Sequence, residues 1–315
     1  MGIQIVSTGV YLPEQMMSAS SDIETSGGKE IDELFTGGEN YRVASELETN
    51  TYMGTRAAQQ AIDNAGIDPN SIDVALGYSF IPDYAGPRDI YGIIKNLGLN
   101  NVMAWTLDVT CASFMSHMHL ANLLSHTDKK RILMVESTNW VKRGFGDKPI
   151  SNAVGDGAGA VIVDVVDGQG SLIDIRESSN ASLFDFISMK ETVATGEREY
   201  ITFTKSNRVI HKSISIVAEN ALALLDKNNL TANDITWSIS HQPGVAVIKK
   251  WHQIAGIPLE KNLNTYSLYG NVSAANIPIT LNHYTQVEPK IKRGDLILMM
   301  TAGSGVHPVA GLIKY

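Results

Sequence analysis

The chain has 315 residues, 43% of them hydrophobic, with 25 basic and 33 acidic side chains for a formal net charge of -8. This length fits two domains or one large α/β unit and excludes disorder as the main state, and the acidic balance argues against a broad nucleic-acid surface. The single Cys excludes an internal disulfide and a Cys-based zinc or iron–sulfur framework, and no run of about 18 apolar residues is present to span a membrane.

In chain order, β-branched apolar runs predict strands over 2–7, 74–78, 103–108, 131–136, 158–165, 236–240, 295–301 and 309–313. Between them, apolar residues at helical spacing predict helices over 52–65, 88–97, 111–125, 212–228, 245–254 and 274–285. Gly66 and Gly256 read as helix stops. Residues 14–48 lack periodicity and read as loop, with at most a short helix around 31–35. The first residues carry no basic stretch followed by an apolar core, so a cytoplasmic location is expected.

The alternation of strands and helices indicates α/β layering, and the chain contains an internal repeat. Residues 61–79 lie on 224–242 with Asp63 on Asp226, an offset of 163. RILMVES from Arg131 lies on DLILMMT from Asp295 at 164, and CASF at Cys111 on NVSA at Asn271 at 160. These matches predict two related halves, 1–165 and 166–315. Cys111 would start one helix and Asn271 its counterpart, both N-termini facing a common centre.

Cys111 stands in DVTCASF, where a strand turns at once into a helix. Unsatisfied helix N–H groups there can stabilise a thiolate or a developing oxyanion; the alternative is a small buried side chain. His241, in WSISHQPG, ends a strand before a Gly turn, the position of a general base or of an ordinary loop histidine. Asn271, in YGNVSAANIP, can cap a helix or donate its amide to a carbonyl. VGDGAGAVIVD fails the dinucleotide-binding test because it leads into a strand, and reads as a tight backbone crossing. AGSGVHP can present backbone N–H groups to a carbonyl. A Cys, His, Asn set is formally compatible with a papain-like hydrolase, but the Cys signature and the duplicated α/β pattern disfavour it.

DVTCASF, SHQPG, YGNVSAANIP and GDGAGA, in this order, together with GIQIVSTGVYLPE and LILMMTAGSGVHPVAGLIKY, resemble the β-ketoacyl-acyl-carrier-protein synthase III family of thiolase-fold condensing enzymes. The resemblance implies a five-layer αβαβα fold of two duplicated halves, usually a homodimer. It implies that Cys111 is acylated by a thioester while His241 and Asn271 stabilise the enolate of a decarboxylated malonyl-type donor. The backbone N–H groups of Cys111 and of Ser304, where the family has Gly, would form the oxyanion hole.

Other positions depart from the family pattern. IDELFTGGENYRV lacks the Trp and the complete Thr-Gly-Ile…Arg stretch that grip coenzyme A, and Gly244 and Ala246 replace the family's Asn and carrier-docking Arg. Arg208, Lys212, Lys249 and Lys250 offer a substitute basic patch. Gly86-Pro87 replaces a Phe-Pro that gates the partner's acyl pocket, which would widen the tunnel. The expected protein is an acyltransferase or ketosynthase of specialised fatty acid or polyketide metabolism. It would act on acyl carrier protein or coenzyme A thioesters with no resident cofactor or metal, and without nucleic-acid or membrane partners. The alternatives are acyl transfer from Cys111 to a small-molecule, non-malonyl acceptor (O-, N- or aromatic C-acylation), and a non-catalytic partner subunit of a synthase.

Overall fold

Strands whose two faces are both apolar need a packed layer on each side. ILMVEST in the run Arg131–Thr138 is buried throughout, and GAGAVIV at the start of Gly157–Val166 likewise. The computed structural model describes residues 1–19, 34, 38–145, 154–191, 198–203 and 206–315. Its strands are β1 (Gly2–Tyr11), β2 (Met16–Ser18), β3 (Asn40–Arg42), β4 (Val74–Phe80), β5 (Met103–Thr106), β6 (Arg131–Thr138), β7 (Gly157–Val166), β8 (Leu172–Glu177), β9 (Ile187–Glu191), β10 (Arg198–Phe203), β11 (Trp237–Ser240), β12 (Asn262–Leu263), β13 (Leu296–Gly303) and β14 (His307–Lys314).

Two five-stranded sheets repeat one design. The first has the order β1-β7-β6-β4-β5 and the second, read the same way, β8-β14-β13-β11-β12. In each, the first two pairings are antiparallel and the last two parallel. β2 with β3 and β9 with β10 form separate two-stranded pieces.

Side chains alternate across each strand, so every central strand feeds two cores. Ala75 and Leu133 pack outward under the helices Asn50–Ala65 and Asp89–Asn96. Val74, Leu76 and Ile132 face a middle layer made by the helices Ser113–Leu124 and Asn276–Tyr284, against Ile239, Ile297 and Met299 of the second sheet. Leu298 and Met300 point the other way, under the helices Asn207–Lys227 and Val245–Ala255. The result is the expected five-layer thiolase-like fold, with the middle helices shared by both halves.

Gly66 and Gly256 end their helices in left-handed conformation, φ 63° and 66°, as the sequence suggests. Other boundaries differ from expectation. β1 runs on to Tyr11 through a register shift between Ile5 and Ser7, which breaks the alternation that sequence reading relies on. β8 was not anticipated, because LIDIRE is a half-exposed edge strand without a continuous apolar run. The helix expected from 212 starts at Asn207. The short helix expected at 31–35 lies outside the described residues except for Leu34, which is helical and buried. VGDGAGA is a buried clamp. The Asp156 carboxylate accepts the N–H groups of Ala44, Trp140 and Val141 at 2.9, 2.8 and 3.0 Å.

Candidate active site

Cys111 does not begin an α-helix. It sits in the single 3-10 turn Thr110–Ala112, and the helix follows from Ser113. The turn is held open by side chains, since Thr110 adopts φ 49°, a conformation that costs a non-glycine residue energy. Asp108 Oδ1 accepts the Thr110 N–H at 3.0 Å, Ser113 Oγ accepts the Val109 N–H at 2.9 Å, and the Thr301 hydroxyl donates to the Cys111 carbonyl at 3.0 Å.

The other half repeats this turn at Ser273–Ala275. Ser273 has φ 50°, Asn271 Oδ1 accepts its N–H at 2.9 Å, and Asn276 Oδ1 accepts the Val272 N–H at 3.2 Å. The Thr138 hydroxyl donates to the Val272 carbonyl at 3.1 Å. Asp108 with Asn271, Thr110 with Ser273, Ser113 with Asn276 and Thr138 with Thr301 all fall at the 163-residue offset. The offset of 160 that set Cys111 on Asn271 is therefore corrected. Cys111 matches Ala274, Asn271 matches Asp108, and His241 at the end of β11 matches Tyr78 in β4.

These turns meet in the middle of the molecule. Ser273 Oγ lies 3.4 Å from Cys111 Sγ and also bonds the buried Tyr78 hydroxyl. His241 is anchored by its N–H to the Met300 carbonyl at 2.8 Å, and its ring faces the Ser273 backbone carbonyl and the Asn276 side chain. Gln242 behind it is tied to Thr280 and Thr265. Since Asn271 Oδ1 is taken by Ser273, its NH2 is the end left for a ligand, so capping and donation are both open to this residue.

Burial sets the charge state. It pushes the Cys111 thiol up to about 11, against the opposing Ser273 hydroxyl and the Cys111 N–H. The helix-terminus thiolate expected from sequence is thus overruled by desolvation. Burial also pushes His241 down to about 4. At neutral pH the pair is thiol and uncharged imidazole, and the ring can donate a hydrogen bond without carrying charge.

Cys111, His241, Asn271 and Ser304 line one cavity of about 120 Å³, many times what a single water needs. Its other walls are mostly apolar, including Leu34, Phe80, Trp140, Phe186, Ile214, Val247 and Trp251. Phe80 and Trp140 meet edge to face at 4.8 Å. Cys111 N–H can serve as one oxyanion donor, but the Ser304 N–H already donates to Thr110 Oγ1 at 2.5 Å. Gly86 and Pro87 are exposed and are not among the lining residues of their own chain's cavity. Arg208 and Lys212 flank a separate surface groove, where Lys212 pairs with Glu219 at 2.6 Å. Lys249 is exposed and Lys250 half-buried on the neighbouring helix, outside that groove. Sequence reasoning missed Thr110, Ser273, Trp140, Ser213 and Trp251. The repeat, aligned at 163, would have flagged the first two.

The family model for 3-oxoacyl-[acyl-carrier-protein (ACP)] synthase III, C terminal, matches residues 225–315. Beta-ketoacyl-[acyl-carrier-protein] synthase III of Campylobacter jejuni is 31% identical over 317 residues, covering 98% of this chain and 96% of that protein. The crystal structure of 3-oxoacyl-[acyl-carrier-protein] synthase III from Aquifex aeolicus has a TM-score of 0.87 and 29% identity over 100% of both chains. The priming beta-ketosynthase of the R1128 polyketide biosynthetic pathway shares the fold, with a TM-score of 0.86 and 21% identity over 99% of this chain and 96% of that one. Fold and relatives together place the chain in the class of thiolase-fold condensing enzymes. Within that class the chain belongs to the β-ketoacyl-acyl-carrier-protein synthase III family.

Proposed function

We propose that the protein loads an acyl group on Cys111 and condenses it with a malonyl-type thioester. The observation that carries this reading is the convergence of Cys111, uncharged His241 and the Asn271 amide on one apolar cavity. In the first step the Cys111 sulfur bonds the acyl carbon, the donor thiol leaves, and the thiol proton goes to that leaving group. In the second step His241 and Asn271 donate to the carbonyl oxygen of the malonyl thioester while its carboxylate leaves as carbon dioxide. The enolate carbon then attacks the acyl carbon, the acyl C–S bond breaks, and the departing Cys111 thiolate takes a proton from solvent to restore the thiol. Fixed donors at a developing enolate lower the barrier most where water is excluded, and this cavity is walled mainly by hydrocarbon. The donor thioester is carried by acyl carrier protein or coenzyme A, the pathway is specialised rather than housekeeping, and the active form is a cytoplasmic homodimer with no resident cofactor.

Among the described residues no helix is long and apolar enough to cross a membrane. The apolar cavity walls also favour the second reading, transfer of the acyl group from Cys111 to a small non-malonyl acceptor. Incubation with acyl thioesters followed by intact-mass measurement is expected to show one acyl adduct that is absent in Cys111→Ala. A wild type left unmodified across acyl carrier protein, coenzyme A and small-thiol donors would instead favour a non-catalytic subunit.

A further inference from the structure

Ser304 follows directly on β13 and borders the same cavity as Cys111. Its backbone N–H is already engaged, because Thr110 Oγ1 accepts it at 2.5 Å. Thr110 is the residue before the nucleophile, and its own surroundings fix where that hydroxyl stands. Asp108 Oδ1 accepts the Thr110 N–H at 3.0 Å, and a Cβ at Gly303 would lie 2.8 Å from Thr110 Oγ1, so strand and turn are in direct contact. The Cys111 N–H, by contrast, lies against its own sulfur. The duplicated half disposes of the matching donor within itself. At the 163-residue offset Ser304 falls on Val141, whose N–H goes to Asp156 Oδ1 at 3.0 Å. At the nucleophile, the strand-end N–H goes instead to a side chain of the other half.

We propose that Thr110 is a positioning residue that withholds the Ser304 N–H from an acyl group on Cys111, so that the acyl-enzyme has one fixed donor at its carbonyl and resists hydrolysis. Two N–H groups beside a nucleophile suit the oxyanion that forms when the acyl carbon is attacked. Here the Thr110 oxygen competes with the acyl oxygen for one of them. Loss of a single such donor lowers rates by about 100 to 1000-fold, and the penalty falls on every attacking group. Water feels it in full. In hydrolysis the water oxygen bonds the acyl carbon, the C–S bond breaks, one water hydrogen remains on the acid and the other restores the thiol. An enolate formed within the cavity is held beside the acyl carbon, and that proximity offsets part of the loss. The inference rests on the acyl-transfer reading of Cys111 and adds the residue that sets the lifetime of its intermediate.

The test loads the full chain with octanoyl-coenzyme A or octanoyl-N-acetylcysteamine, removes the donor, and follows loss of the adduct by intact mass at neutral pH. Thr110→Val keeps the branched shape and deletes the competing oxygen, so its adduct is expected to hydrolyse about tenfold faster than that of the wild type. Thr110→Ser keeps the oxygen and should restore the slow loss. With an isotope-labelled carbonyl, the infrared stretch of the acyl group should fall in Thr110→Val, because a second hydrogen bond weakens the C=O bond; a merely structural role would leave it in place. Thr110→Ala repeats the comparison should Thr110→Val fail to fold. Equal lifetimes and equal stretches overturn the proposal. A longer-lived adduct in Thr110→Val overturns it too, since the Thr110 hydroxyl would then itself be a donor to the oxyanion. Absence of any adduct on all of these proteins counts against acyl transfer, and the inference falls with it, whereas adducts of equal lifetime count against the inference alone.

Discussion

At the residue scale, the two matching turns permit a clean test of Asn271. Its Oδ1 caps the Ser273 N–H as Asp108 Oδ1 caps Thr110. Asn271→Asp therefore keeps the capping oxygen and replaces the NH2 donor with a second carboxyl oxygen. Malonyl decarboxylation is expected to fall about 100 to 1000-fold, with self-acylation and melting temperature little changed. Full decarboxylation in that variant would remove Asn271 from the mechanism. The charge states also make predictions. With its thiol pushed up to about 11, Cys111 should react with iodoacetamide at a rate that climbs steeply between about pH 7 and 10, as thiolate forms; a plateau below pH 8 would contradict it. His241 has a folded pKa of about 4, below its ordinary 6.5, so the native state binds fewer protons than the unfolded chain. Its contribution to stability is present above about 6.5 and is lost as pH falls toward about 4. Acid-unfolding curves of His241→Gln should be flatter across that window.

At the element scale, the succession of central strands and helices along the chain could be read from periodicity because the central strands are apolar on both faces and two of the helices stop at glycines. The edge strand β8 escaped that reading, since half of its side chains face water. The chemistry was partly legible. Cys111, His241 and Asn271 stand at strand ends and turns, where the pattern of apolar residues breaks. Their protonation could not be read, because it depends on how many layers cover them, and Ser213 and Trp251 look like ordinary core positions until two helices bring them to one cavity. The join between β13 and the Cys turn gives an element-level test. A Cβ at Gly303 would lie 2.1 Å from the Val109 carbonyl and 2.8 Å from Thr110 Oγ1. Gly303→Ala must push the two halves apart at the nucleophile, so self-acylation should drop at least tenfold, out of proportion to any fall in melting temperature. Unchanged acylation kinetics would show that the turn tolerates movement.

At the scale of the whole molecule, the middle layer belongs to neither half alone. Phe114, Met115 and Met118 from the first half interlock with Leu281, Ile297, Met299 and Ile313 from the second. Each half alone would expose that apolar face to water, at about 25 cal/mol for every Å² left unburied. Residues 1–165 and 166–315 produced as separate chains are expected to be insoluble apart and to recover a cooperative melt only together. A soluble half with its own sharp transition would show two independent cores.

The common 163-residue register also says what the duplication achieved. Two copies of the first half would bring a thiol to a tyrosine and an aspartate, the Tyr78 and Asp108 positions. Two copies of the second would bring His241 and Asn271 to the methyl group of Ala274. Neither symmetric pairing holds a nucleophile and its donors together, whereas the mixed pairing does so once. Joining the halves in one chain fixes their ratio at one to one, so every folded molecule carries one complete centre, and the inactive combinations are excluded by connectivity.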